Sequence, residues 1–213
     1  MSRAASSSEK TRIAVLVSGG GTNLQALLDA QARGELPHGE ITVVIASRDD
    51  AYALERARRA GVEAVVVARK GRKAETFERL LKEELLRHRI DLVVLAGFLC
   101  ILSAEFIADY EDRILNVHPS LLPAFGGKGF YGLAVHEAPL ARGVKVTGAT
   151  VHLVNEIPDG GEILLQRAVA VEEGDTPELL QRRVMEQAEW ILLPRAAELM
   201  SEKIMREKER ASL

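Results

Sequence analysis

RIAVLVSGGGTNLQALLDA, residues 12–30, carries three signals in one short stretch. Residues 13–17 (IAVLV) form a continuous apolar run in which polar residues do not alternate. Such a strand is buried on both faces, as in parallel sheets covered by helices. SGGG then breaks the run, and residues 23–33 follow with helical character. Strand, glycine turn and helix in that order open an α/β unit.

The rhythm repeats outward from there. Apolar runs at residues 41–46, 64–68 and 91–96 alternate with helical patterns at 51–60 and 75–89. In the last of these, Phe77, Leu80, Leu81 and Leu85 share a helical face, with charges elsewhere. ILNVH (114–118) is one more buried strand. Beyond it the pattern changes. Residues 145–154 alternate, with Thr150, His152 and Val154 on one face and Val151 and Leu153 on the other. A second extended segment, 162–171, follows the turn PDGG (158–161), which suggests antiparallel pairing. Thr176 and Pro177 make an N-cap and first-turn pair opening a helix over residues 176–207. Pro194 is expected to break or kink that helix. The fold class expected is α/β, a doubly wound and mostly parallel sheet with an antiparallel C-terminal part.

The 213 residues contain no internal repeat and no Pro/Gly-rich linker, so one domain is expected over residues 12–205. A flexible N-terminal tail (1–11) and a charged C-terminal tail (206–213) flank it. Composition, 47% hydrophobic and 28% charged, is that of a soluble globular protein. The net charge of -3 leaves no basic surplus to draw the chain to nucleic acid or an anionic membrane. IAVLV is too short for a membrane span or signal-peptide core. The single cysteine, Cys100, excludes an internal disulfide and fits a reducing, cytoplasmic setting. No histidine pair has metal-ligand spacing, so no metal is expected. Oligomeric state is left open.

In an open α/β sheet, ligands bind beyond the carboxyl ends of the strands, where SGGGTN (18–23) lies. Glycines let backbone N–H groups approach an anion, and the helix N-terminus adds partial positive charge. Thr22 and Asn23 can cap the helix or donate to a phosphate. The loop fits neither G-x-G-x-x-G nor the P-loop, which favours a simple phosphate over a dinucleotide or triphosphate.

LNVHPSLLPAFGGKG (115–129) holds the second signal. Asn116 and His118 are two apart at a strand end, so both side chains share one face. An amide is a neutral donor suited to an oxyanion. An imidazole can act as acid or base near neutrality. No Ser or Cys stands in a nucleophile setting, which favours direct transfer between two substrates. Asp159, in the PDGG turn, is a candidate carboxylate to favour the imidazolium and orient the ring. Thr150 and His152 share a strand face and support the same cleft. On spacing alone this grouping stands beside plainer readings, a hydrogen-bonded structural histidine and an ordinary turn aspartate.

Five segments in order, VLVSGGGTNLQAL, DLVVLAGFLCILS, ILNVHPSLLPAF, GVKVTGATVHLV and IPDGGEILLQ, resemble the glycinamide ribonucleotide transformylases of the formyltetrahydrofolate-dependent formyltransferase family. The resemblance covers most of the chain between residues 12 and 194. It implies the formyltransferase fold and transfer of a formyl group from 10-formyltetrahydrofolate, a co-substrate, to the amine of glycinamide ribonucleotide in purine biosynthesis. Gly21, Thr22 and Asn23 would hold the substrate phosphate. Leu99, Cys100, Ile101 and Leu102, with Asn116, would line the folate pocket. Asn116, His118 and Asp159 would be the catalytic trio, and Glu189, with Glu186, would contact the ribonucleotide from the closing helix.

The chain departs from the family at several positions. Cys100 stands where many members carry Arg, and Trp190 follows Glu189 where many have His. The stretch between Val184 and Pro194 is one residue longer, and an Arg that contacts folate has no match near Arg72 and Lys73. Formyltetrahydrofolate deformylase and methionyl-tRNA formyltransferase are the nearest alternatives. The first adds an N-terminal regulatory domain and the second a C-terminal domain for tRNA, and neither is expected here. A non-catalytic phosphate-binding α/β domain would leave Asn116, His118 and Asp159 without a reason.

Overall fold

The computed structural model describes residues 9–212. The first half builds five strands and four helices in alternation: β1 (Thr11–Val17), α1 (Thr22–Ala32), β2 (Gly39–Ala46), α2 (Ala53–Arg59), β3 (Glu63–Val66), α3 (Ala74–Arg87), β4 (Leu92–Leu95), α4 (Ala104–Ala108) and β5 (Ile114–His118). The second half adds α5 (Ala134–Ala141), β6 (Val146–Leu153), β7 (Ile163–Ala170), α6 (Pro177–Val184), a π-helical turn (Met185–Glu189) and α7 (Trp190–Ala211).

The strands form one sheet in the order β3-β2-β1-β4-β5-β6-β7. Pairing is parallel from β3 to β5, and β6 and β7 add on antiparallel. The doubly wound sheet with an antiparallel C-terminal part is therefore the architecture observed. Continuous apolar runs in β1 and β4 reflect burial on both faces. Ile13, Val15 and Val17 pack on one side with residues of α1, α2, α6 and α7. Ala14 and Leu16 pack on the other with Phe77, Leu81 and Leu85 of α3 and Phe106 of α4. Strand order reverses between β1 and β4, which puts the glycine loop and the loop after β4 side by side. The Ser18 N–H donates to the Gly97 carbonyl across that crevice at 3.1 Å. Ligands bind at such switch points in open α/β sheets.

Element boundaries differ from expectation at both ends of the fold. Thr11 belongs to β1, its hydroxyl donating to the Ser201 carbonyl at 2.8 Å, so the fold begins inside the expected tail. Residues 1–8 of that tail lie outside the described residues. The expected charged tail after residue 205 is helical through Ala211. Charge did not end the helix because Ile204 stays buried against the sheet and Lys208 pairs with Asp91 at 2.6 Å. The antiparallel connection from β6 to β7 is a loop over residues 154–162 that contains the PDGG turn, as expected.

The irregularity expected at Pro194 comes earlier, at Met185–Glu189, where the Trp190 N–H reaches the Met185 carbonyl. Pro194 itself lies inside α7. A π turn holds one more residue than an α turn, and it falls in the stretch between Val184 and Pro194 where an extra residue is expected.

The sheet leaves little space between β6 and β7. A Cβ added at Gly148 would collide with the Arg167 carbonyl oxygen and come within 2.8 Å of Leu121 Cδ2. Gly148→Ala is expected to lose about 2 kcal/mol of stability, within the range for overpacking. A lower urea midpoint at unchanged slope would show this, and an unchanged midpoint would contradict the close approach.

Candidate active site

Strand pairing aims the polar cluster. In the β5–β6 register, Asn116 lies opposite His152 and His118 opposite Thr150. Alternation sends these four side chains to one face. Their neighbours Leu115, Val117, Val151 and Leu153 enter the core on the other.

Asp159 lies between the two imidazoles. Its Oδ2 is 3.5 Å from His118 Nδ1 and its Oδ1 is 3.6 Å from His152 Nε2. These are ion-pair distances, longer than hydrogen bonds. The His118 ring is oriented instead by the Phe125 carbonyl, which accepts from Nε2 at 2.8 Å. A protonated His118 would thus have an acceptor facing each nitrogen. Burial raises the Asp159 pKa, but the His152 interaction, the Gly127 N–H (2.8 Å) and the His118 charge outweigh it, and the net shift is downward.

His152 sets the Asn116 amide. A backbone carbonyl only accepts, so His152 Nδ1, 2.8 Å from the Leu153 carbonyl, carries the hydrogen. In the neutral ring Nε2 then accepts from Asn116 Nδ2 at 3.2 Å. The amide nitrogen keeps a second N–H for a ligand.

The loop after β5 is shaped around these groups. Phe125 and Asp159 hold positive φ values of 53° and 55°, which is costly for a bulky residue and milder for Asp. Gly126 leaves room for the Leu122 side chain, with which a Cβ there would collide, while that Cβ would only reach ordinary contact, 3.4 Å, with the Asp159 Cβ. Thr150 acts as a hub. Its hydroxyl donates to the Ser120 carbonyl (2.7 Å) and accepts from Leu122 N (3.0 Å) and Gln166 Nε2 (3.0 Å). Gln166 also donates to the Leu122 carbonyl at 2.9 Å. Thr150 therefore supports the loop and does not face a ligand. Gln166 was missed because nothing in its spacing on β7 marks it. His136 lies within electrostatic reach of His118. It is buried on α5 with neither ring nitrogen paired, and burial, then the His118 charge, lower its pKa to about 4.

A cleft beside Asn116, His152 and Asp159 has apolar walls, among them Leu95, Phe98, Ile101, Leu102, Ile107, Val154 and Ile157. The residues expected to line the folate pocket divide. Cys100, Ile101 and Leu102 border this cleft, whereas Leu99 is 69% exposed and its N–H is engaged by Ser18 Oγ at 2.9 Å. Burial raises the Cys100 thiol pKa, opposed by a hydrogen bond with Ser47 and the charge of Arg69. Among the described residues, no cluster of His, Cys, Asp and Glu could hold a metal ion.

At the glycine loop, Gly21 is the N-cap of α1 with φ 73°, and no side chain caps the helix. Neither Thr22 nor Asn23 caps it, so the expected alternative to phosphate binding is not used. A Cβ at Gly21 would lie 2.7 Å from the Ala53 Cβ, so glycine is required there. Asn23 Nδ2 donates to Glu189 Oε2 at 2.7 Å, and Asn23 Oδ1 is buried without a partner. The π turn brings Glu189 inward while Glu186 stays exposed. Burial raises the Glu189 pKa to about 7, the Asn23 hydrogen bond opposing it.

That shift gives stability a pH dependence. Between about pH 4.5 and 7 the folded chain keeps a proton that the unfolded chain releases. Stability therefore falls as pH rises through this window, by up to about 3 kcal/mol. Glu189→Gln keeps an acceptor for Asn23 without the charge. Urea unfolding should show it little changed at pH 5 and more stable than the parent at pH 8. An equal difference at both pH values would exclude a buried, proton-holding Glu189.

Residues 11–196 match the family model for formyl transferase. The chain is 36% identical over 201 residues to a chloroplastic phosphoribosylglycinamide formyltransferase of Vigna unguiculata, covering 94% of this chain and 64% of that protein. It is 42% identical over 194 residues to the Homo sapiens trifunctional purine biosynthetic protein adenosine-3, covering 91% of this chain and 18% of that protein. The chain thus spans less than two thirds of the length of these curated relatives. The crystal structure of glycinamide ribonucleotide transformylase 1 from Symbiobacterium toebii superposes with a TM-score of 0.85 at 45% identity, covering 93% of this chain and 94% of that one. With the family model matched over most of its length and relatives of this identity, the chain belongs to the formyl transferase family.

Proposed function

We propose that this chain transfers the formyl group of 10-formyltetrahydrofolate to the amine of glycinamide ribonucleotide, a step of purine biosynthesis. The convergence of Asn116, His118 and Asp159 beside an apolar cleft carries this reading, and the names of the relatives support the acceptor. The cleft suits a flat pteridine whose polar edge meets backbone groups of residues 100–102. Gly21, Thr22 and Asn23 would hold the ribonucleotide phosphate, with Glu189 beside them and Glu186 outside. A chain with one cysteine suits a reducing cytoplasm.

The substrate amine attacks the formyl carbon and gives a tetrahedral intermediate. The second N–H of Asn116 donates to its oxyanion, and the positive charge of a protonated His118 nearby stabilises it. His118 presents Nδ1 on the Asp159 side of the cleft. The attacking amine loses a proton and the departing folate nitrogen gains one, through His118 or a water beside it. Asp159 balances the imidazolium charge. Holding two substrates together supplies much of the rest, on the order of 7–11 kcal/mol at best.

Asn116→Ala, His118→Ala and Asp159→Asn should each lower turnover roughly 100- to 1000-fold with unfolding curves close to the parent's. The assay follows formyl-folate consumption spectrophotometrically with and without glycinamide ribonucleotide. Near-parental turnover in His118→Ala would sink the mechanism. Consumption without the ribonucleotide would favour a deformylase, and none with it would favour a binding domain.

A further inference from the structure

We propose that Arg56 is a positioning residue for the phosphate of the ribonucleotide, an inference that rests on the phosphate reading of the glycine loop. Each carbonyl of that loop is held from behind. Gly19 O accepts from the Ala53 N–H at 3.1 Å, and Gly21 O accepts from the Gln25 N–H at 2.9 Å. Gly20 O accepts from Arg56 Nε at 2.8 Å. Two of the three donors are backbone groups in helices. Arg56 is the side-chain donor, and so the one a substitution can remove.

The guanidinium is itself fixed. Arg56 Nη1 donates to Gln25 Oε1 at 3.0 Å, and the group lies 5.1 Å from the centre of the Tyr52 ring. One planar fork therefore ties the middle of the glycine loop to the first turn of α1 and lies over Tyr52, the residue before α2. A lysine cannot reproduce this, since a point charge does not form two bonds in a set plane. With its carbonyls turned back, the loop leaves N–H groups for an anion, and no side chain caps α1. Asn23 Oδ1, on a residue 9% exposed, has no partner among the described residues, and as an acceptor it suits an N–H or O–H of the ribonucleotide, not its phosphate oxygens. Arg56 also adds a positive charge behind the loop.

The test measures binding of inorganic phosphate by titration calorimetry and steady-state kinetics on the full chain. Arg56→Ala should weaken phosphate binding and raise KM for the ribonucleotide together, roughly tenfold or more, as expected for losing a charged hydrogen bond. KM for formyl-folate should hold, and kcat should fall far less than KM rises. Arg56→Lys should recover part of the loss and not all of it. Tyr52→Leu should shift both quantities the same way by less, and these two variants decide the matter if Arg56→Ala does not fold. Parental phosphate affinity in the variants, no phosphate binding by the parent, or a parallel rise in both KM values would overturn the proposal. Arg56-dependent phosphate binding without transfer activity would overturn the formyl-transfer function and leave this role for Arg56 standing.

Discussion

The register of β5 against β6 is the constraint on which the site depends. Leu115, Val117, Val151 and Leu153 point into the core, and each large apolar side chain so buried contributes about 1.5–3 kcal/mol. Because side chains alternate, burying that set aims Asn116, His118, Thr150 and His152 at the opposite side. A slip of one residue would exchange the two sets and bury four polar groups without partners. Hydrophobic packing on one face therefore fixes the chemistry on the other.

The loop after β5 has almost no regular structure, and side chains do the work that a ladder would do. Thr150 and Gln166 reach across from β6 and β7 to satisfy its backbone at Ser120 and Leu122. The same loop returns two backbone groups to the site. The Phe125 carbonyl orients His118, and the Gly127 N–H holds Asp159. The nearby Pro and Gly residues of this loop thus form turns that present backbone groups.

The opposite end of the cleft is organised by the reversal of strand order between β1 and β4. The glycine loop, braced from behind by α2, faces a helix end left uncapped. The π turn brings the Glu189 carboxyl against Asn23, in surroundings dry enough to favour its neutral form at mild acidity.

The strands and helices of the first half were legible because burial on two faces writes continuous apolar runs and burial on one face writes helical spacing. Asn116 and His118 were legible as a pair because extended chain puts alternate residues on one side. Asp159 was a candidate from its turn, but only resemblance tied it to the pair, since it is forty-one positions from His118 and no local period links them. Gln166, Phe125 and Arg56 carried no mark, as their roles rest on one atom meeting another across the fold. The boundary at Pro194 was misplaced because a π turn is a backbone adjustment to tertiary packing, invisible to composition. Sequence alone determined the α/β order of elements and the residue types at the site, through local period and backbone sterics. Tertiary structure alone decided which nitrogen meets which oxygen and which glutamate turns inward, because those outcomes depend on the register and packing of segments distant in the chain.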